Sequence, residues 1–266
     1  LDVSSIFYYD FINMTNTPNH PLTGVGQLIS DSWKLFITTW NSSVKTSILF
    51  LYVGIAYFLS ALLVNINKNF FILYALIYLV GIITVVWISL RLTMTMLNLE
   101  AGKKPLPANQ ESKKALLFII PSWWISFLSF FVIAGASLLL VIPGIYFAMA
   151  LYFATIILID QDIHGLQALA ASRALVKGRW WPTFGRLLAG SLLFGLLVFA
   201  SMGILQSLAD AIMKQPFLNL SASASFETKI FVAGVEQFLQ MAVMAAILPL
   251  FVGFQVKLYR ILQKTR

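Results

Sequence analysis

From Ala115 to Ile159 the chain runs for 45 residues without one charged side chain. A single helix of that length would reach about 65 Å at 1.5 Å per residue. That is about twice the hydrocarbon thickness of a bilayer. The run must therefore fold back on itself, and its only Pro-Gly pair, Pro143–Gly144, marks the expected reversal. Proline lacks an N–H and ends the incoming helix. Glycine supplies the backbone freedom of a tight turn. The expected product is a membrane hairpin with almost no loop.

The rest of the chain agrees with a membrane environment. Hydrophobic residues make up 59% of it and charged residues 11%, with mean hydropathy +0.86. A soluble domain carries about 25% charged residues, so this chain has too little polar surface to remain in water. Runs near or above the length of a membrane span place six segments: 46–64, 70–90, 123–142, 145–159, 183–207 and 230–254. The expected fold is all-α, a polytopic bundle of about six transmembrane helices with amphipathic interfacial helices. A polar N-terminal tail, 1–22, precedes a membrane domain, 23–266. No signal peptide is expected, because no charged segment followed by a short apolar stretch and a cleavage site opens the chain.

Charge sets the expected orientation. Fifteen of the eighteen Lys and Arg residues fall on alternating segments: before the first span, between spans two and three, between four and five, and after the sixth. Only Lys68, Lys214 and Lys229 lie on the other side. The positive-inside rule then puts both termini in the cytoplasm. The net charge of +8 becomes a collar facing anionic lipid, not a nucleic-acid surface. Trp33, Trp40, Trp123, Trp124, Trp180 and Trp181 cluster at the same predicted interface, where indole rings anchor.

A shift of 140 residues lays Gln27–Trp40 on Gln167–Trp180, matching Gln27/Gln167, Ser32/Ser172, Leu35/Leu175 and Trp40/Trp180. In the second copy Ala168, Ala171, Ser172, Leu175 and Val176 follow helical spacing. Both copies are predicted as interfacial helices that precede a span, with Ser32 and Trp40 matching Ser172 and Trp180, and the second has a small Ala/Ser face that lets another helix approach closely. Glu111–Trp124 is the expected third copy. The units are then about 24–97, 110–160 and 166–254, each an interfacial helix followed by a span out and a span back.

Few residues offer chemistry. The chain has no cysteine, which removes disulfides, thiolate nucleophiles and cysteine metal sites. Asp160, Asp162 and His164 could suggest a divalent ion, but on a short linker before Gly165 the favoured reading is turn and cap. Arg91 is expected to end span two as a snorkelling, lipid-facing residue. Gly54, Gly81, Gly185, Gly190 and Gly195 are expected at close helix contacts. The candidate intramembrane polar site is Glu236, Gln237 and Gln240. Buried ionisable groups in spans face bundle interiors or aqueous cavities. The competing reading is shallow burial, or pairing with Lys229 seven residues earlier. No catalytic residues, metal ligands or cofactor-binding motif are identified, and the histidines number two, His20 and His164. No broken span is expected at the midplane.

The stretch Ile142–Leu193 resembles the YciC-type bacterial inner-membrane proteins, and the membrane domain fused to some glycerophosphodiester phosphodiesterases. The resemblance rests on Ile142–Ile145, then Asp162, Gly165, Ala168, Ser172 and Trp180, and on the closing "FVGFQVKLYRILQ". It implies a bacterial multi-pass protein of the inner membrane, without the phosphodiesterase chemistry, which belongs to a soluble domain this chain lacks. The leading expectation is a non-enzymatic protein organising lipid or a partner at the cytoplasmic interface. Anionic lipids are the expected partners, with another protein or a second copy of the chain beside them. The alternative is a transporter or channel for a lipid-like or small amphipathic solute, using Glu236 and Gln240.

Overall fold

The computed structural model describes residues 23–103, 106–213 and 225–264. The predicted tail 1–22, with His20, and Lys214 lie outside them. Among the described residues every regular element is helical. The helices are α1 (Val25–Thr38), α2 (Trp40–Ile66), α3 (Phe71–Glu100), α4 (Ala108–Leu117), α5 (Ile119–Leu139), α6 (Val141–Ala150), α7 (Ala154–Gln161), α8 (Gly165–Val176), α9 (Trp180–Met213) and α10 (Phe226–Lys264). Six segments are long and apolar enough to cross a membrane, and they match the six predicted spans in order. The span ends run further than the hydropathy suggested. α10 has 39 residues, about 58 Å at 1.5 Å per residue, and so continues well past the roughly 30 Å hydrocarbon layer. Asp210 lies inside α9, which continues to Met213.

The spans pack through small residues. α2 and α10 cross antiparallel where a Cβ on Gly54 would lie 3.0 Å from Met241 Cβ and 3.3 Å from Phe238 Cα. One helical stretch away, a Cβ on Gly234 would overlap that of Ala61. Gly81 of α3 makes room for the Tyr57 ring, whose hydroxyl donates to the Tyr78 carbonyl at 3.3 Å. Gly190 of α9 faces the Phe254 ring. Without water to expel from between helices, close van der Waals approach drives such association. Gly185 and Gly195, expected at similar contacts, face open space.

The predicted hairpin forms, but its corner differs. The chain reverses at Leu140, an extended residue (φ −160°, ψ 148°) between α5 and α6. Pro143 therefore sits in the first turn of the returning helix, where a missing N–H is harmless. Gly144 serves packing: it lies against Ser137 of the incoming helix, with no room for a Cβ. The returning span is also broken, contrary to expectation. α6 ends at Ala150 and α7 begins at Ala154.

The interfacial helices repeat three times. Buried positions of α1 and the α1–α2 junction include Leu28, Ser32, Leu35, Phe36 and Thr39. Those of α8 and its junction include Ala168, Ser172, Leu175, Val176 and Arg179. The shift is 140 throughout, as read from the sequence. In the third copy, Glu111, Ala115, Phe118 and Ser122 are buried. This register pairs Trp123, not Trp124, with Trp40 and Trp180, one residue away from the predicted alignment. Each unit is a short helix, a brief break, a span and a returning span.

The largest core gathers these short helices around the ends of α3 and α10. It joins Leu28 and Leu35 to Leu92, Met96, Phe153, Leu158, Leu169, Phe254 and Tyr259. A smaller core of Phe50, Val53, Tyr57, Ile88 and Met241 ties α2, α3 and α10 together.

Candidate functional site: a polar lock and a broken span

The main polar cluster lies within the large core. Arg260 of α10 grips Asp160 of α7 with both arms, Nη1 to Oδ2 at 2.8 Å and Nη2 to Oδ1 at 2.7 Å. Forked pairs of this kind are among the stronger charge-assisted contacts. Tyr259 donates its hydroxyl to Asp160 Oδ2 at 2.8 Å, while Gln161 and Gln263 donate to Tyr259 at 2.9 and 2.6 Å. Gln263 Oε1 accepts from Arg260 at 2.8 Å. Every member thus has a partner, the condition under which a buried polar network is stable. One helical turn earlier on α10, Gln255 donates to the Tyr152 hydroxyl. Two further pairs brace the same layer. Lys257 meets Glu100 of α3 at 2.7 Å, and Arg91 of α3 meets Glu111 of α4 at 3.8 Å.

These pairs revise two expectations. Arg91 neither ends its helix nor faces lipid: its side chain is buried beside Glu111 and lies 5.9 Å above the Trp87 ring. Three cations assigned to the lipid-facing collar, Arg91, Lys257 and Arg260, point inward instead. Glu111 Oε1 and Arg91 Nε have no hydrogen-bond partner. Burial holds the Glu111 carboxyl above its ordinary value of 4.5, against the opposing effects of the Thr95 hydroxyl and Arg91.

The acids and histidine before α8 separate. Asp162 adopts a left-handed backbone (φ 57°) that closes α7, and its carboxylate meets His164 Nε2 at 3.1 Å on the exposed surface. Gly165 also has positive φ, 55°. Asp160 points the other way, into Arg260. Among the described residues no group of three or more His, Cys, Asp or Glu side chains could hold a metal ion.

Ser172 has a role that its repeat partner lacks. Its hydroxyl donates to the Ala150 carbonyl at 2.7 Å and accepts the Phe153 N–H at 3.1 Å. Those are backbone groups released by the break in span four. In hydrocarbon such groups must be satisfied by neighbouring helices. Ser32, also buried, donates only within its own helix, to the Leu28 carbonyl at 2.7 Å. It packs where α1 meets α10 at Gly253. Trp180 stacks on Phe184 and Tyr146, and its indole N–H reaches the Tyr146 carbonyl at 3.4 Å. Trp40 stays half-exposed against Phe36.

The candidate residues Glu236, Gln237 and Gln240 do not join this cluster. Glu236 and Gln237 are half-buried and Gln240 is exposed. No ion pair joins Glu236 to the exposed Lys229 among the described residues. Sequence reasoning missed the Asp160–Arg260–Tyr259 lock, because a separation of 100 residues leaves no periodic signal. The one available hint was the unusual density of polar residues in the closing Gln255–Gln263 segment.

Two grooves indent the spans. The larger, about 780 Å³, lies between α3 and α5 and reaches Thr155 of α7. The smaller, about 460 Å³, lies between α2 and α3 and is almost wholly apolar. The fold and these features define a multi-pass helical membrane protein. No protein-family model, no curated protein and no solved structure matches the chain.

Proposed function

We propose that the protein is a non-enzymatic component of a bacterial inner membrane. Both termini lie in the cytoplasm, and its short helices organise lipid or a partner at that face. The observation that carries this reading is the tripled unit. α1, α4 and α8 each bury one face in the common core, while their outer faces and junctions leave Lys34, Lys113, Lys114, Lys177 and the half-exposed rings of Trp40, Trp123, Trp124 and Trp181 outward. Basic side chains beside indole rings suit an anionic headgroup layer. Asp160, Arg260, Tyr259, Gln161 and Gln263 are spent on one another, which argues against their serving as a convergent acid, base and nucleophile. The resemblance to YciC-type proteins supports the same location. The test is extraction of the full chain from native membranes in polymer discs, followed by lipid analysis. Enrichment of anionic lipid over the bulk membrane is expected. A lipid shell of bulk composition overturns the reading.

A second reading, transport of a lipid-like or small amphipathic solute, is favoured by two observations. Span four is discontinuous, as in many transporters, and Glu236 lies half-buried within α10 without a described partner. Glu236→Gln should then abolish solute flux in proteoliposomes while leaving the thermal midpoint unchanged. Equal flux in both proteins eliminates it.

A further inference from the structure

We infer that the groove between α3 and α5 is a binding site for one anionic phospholipid, resting on the reading of the protein as a lipid organiser. Its acyl chain lies in the groove and its headgroup lies on Lys113 and Lys114.

The groove walls suit an acyl chain. Their polar atoms are mostly hydroxyls already satisfied within their own helices. Ser89 donates to the Val85 carbonyl, Thr93 to Ser89, Ser122 to Ile119 and Ser126 to Ser122, at 2.8 to 2.9 Å. Covering them with hydrocarbon therefore strands no donor. The rest of the wall is apolar, with Phe127 and Leu90 among its members. Ile120, Trp123, Trp124 and Phe127 of its lining are exposed, so the groove is open on the outer surface of the spans.

One end of the groove differs. Trp123 and Trp124 border it, and their indole N–H groups donate to no described residue. Beyond them the exposed surface continues from Ile120 of α5, across the break at Phe118, to Leu117, Leu116 and the exposed Lys113 and Lys114 of α4. The carbonyl of Ser112, next to Lys113, accepts the Trp87 indole N–H at 3.1 Å, which holds α4 against α3 beside Val86 of the groove wall. Two cations on α4 and two indole donors at the start of α5 thus adjoin one end of a largely apolar slot. This charge complementarity selects an anionic phospholipid over a zwitterionic one. The α2–α3 groove has apolar walls without two adjacent cations at its rim, and serves as the internal control.

The test uses the purified full chain in mild detergent with phosphatidylglycerol or phosphatidylcholine. Native mass spectrometry counts the lipid that survives collisional activation. One phosphatidylglycerol should remain bound, at least fivefold more abundantly than phosphatidylcholine. Ser126→Trp, which fills the groove, should remove it. Lys113→Gln with Lys114→Gln, on the exposed surface where folding is undisturbed, should erase the preference for phosphatidylglycerol. Leu76→Trp, in the control groove, should leave retention unchanged. Equal retention of both lipids overturns the inference, as does retention insensitive to Ser126→Trp or to the lysine pair, or equal loss with Leu76→Trp. If anionic lipid is enriched in native discs but Ser126→Trp keeps its lipid, the groove assignment fails and the lipid-organising reading stands.

Discussion

The two halves of α3 are both largely apolar, though only the inner one carries Ser89, Arg91, Thr93 and Thr95, and they meet opposite fates. From Phe71 to Ile83 the helix exposes Ile72, Leu76, Leu79 and Val80 and buries only Gly81. From Ile88 to Leu97 it buries residues on nearly every side, including Leu90, Leu92, Met94 and Met96. α9 shows the same contrast: Thr183, Leu187, Gly190 and Phe194 are buried, whereas Leu196, Phe199, Ile204 and Leu208 are exposed. The outer halves are apolar for lipid. The inner halves are apolar for one another, and the ion pairs between helices gather there, while the outer region keeps the Tyr57–Tyr78 hydrogen bond. The molecule is thus a dense polar-laced base carrying membrane arms, in which α2 and α10 pack closely while the outer halves of α3 and α9 are left open to lipid.

Four measurements break or sharpen that contrast. The largest effect is expected at Asp160. Asp160→Ala leaves Tyr259 without its acceptor and the largely buried Arg260 without its carboxylate, with only Gln263 Oε1 remaining, and loss of one partner of a buried pair costs about 3–5 kcal/mol. A detergent denaturation curve should show it. Asp160→Leu with Arg260→Met should recover most of the loss, and failure to recover would mean that Tyr259 and the glutamines carry the lock.

Next come two pairs of substitutions, one in each region. Ser172→Ala strands the Ala150 carbonyl and the Phe153 N–H, a cost of about 1–3 kcal/mol. Ser32→Ala removes only a bond within its own helix and should cost clearly less. Equal losses at the two serines would show that the broken span needs no bridge. In the arms, Gly234→Ala must push against Ala61 and should cost about 1–3 kcal/mol. Gly195→Ala meets open space and should gain up to about 1 kcal/mol from helix propensity. A loss at Gly195 would place a close helix neighbour on the outer half of α9.

The smallest effect concerns Glu111. Its folded pKa lies above 4.5 because burial disfavours the carboxylate. The folded state therefore holds its proton at pH values where the unfolded chain has released it. Stability should fall as pH rises from about 4.5 through the folded pKa, then level off. Thermal midpoints across that window should decline in the native chain, with a flatter profile in Glu111→Gln. Identical slopes would assign the dependence to other carboxylates.

Much of the architecture was legible in the sequence. Six apolar runs, a 45-residue stretch too long for one span, and a 140-residue repeat led to the six spans, the hairpin and the interfacial helices. Hydropathy alone could not locate the span ends, because α3 and α10 remain helical past their apolar runs, through Arg91 in one and Lys257 and Arg260 in the other. Pro143 and Gly144 marked the right hairpin for reasons the structure revises: sterics put the corner at Leu140, and Ser137 explains the glycine. The third repeat slipped by one residue because Trp123 and Trp124 are adjacent, and only the buried face distinguishes them.

The candidate site was largely hidden. Glu236 drew notice because a charge within a span is conspicuous, yet Asp160 and Arg260 lie near predicted span ends, where charges are ordinary. Length, periodicity and charge placement are local properties, and the sequence by itself determined an all-α chain of six membrane-length helices in repeated units. Which apolar faces meet protein and which are left to lipid depended on the packing of distant segments. So did the Asp160–Arg260 lock, the inward turn of Arg91 and Lys257, and the service of Ser172 to a broken helix. Lipid tails and leucine side chains are equally apolar, so hydrophobicity does not choose between them; shape and hydrogen-bond satisfaction do.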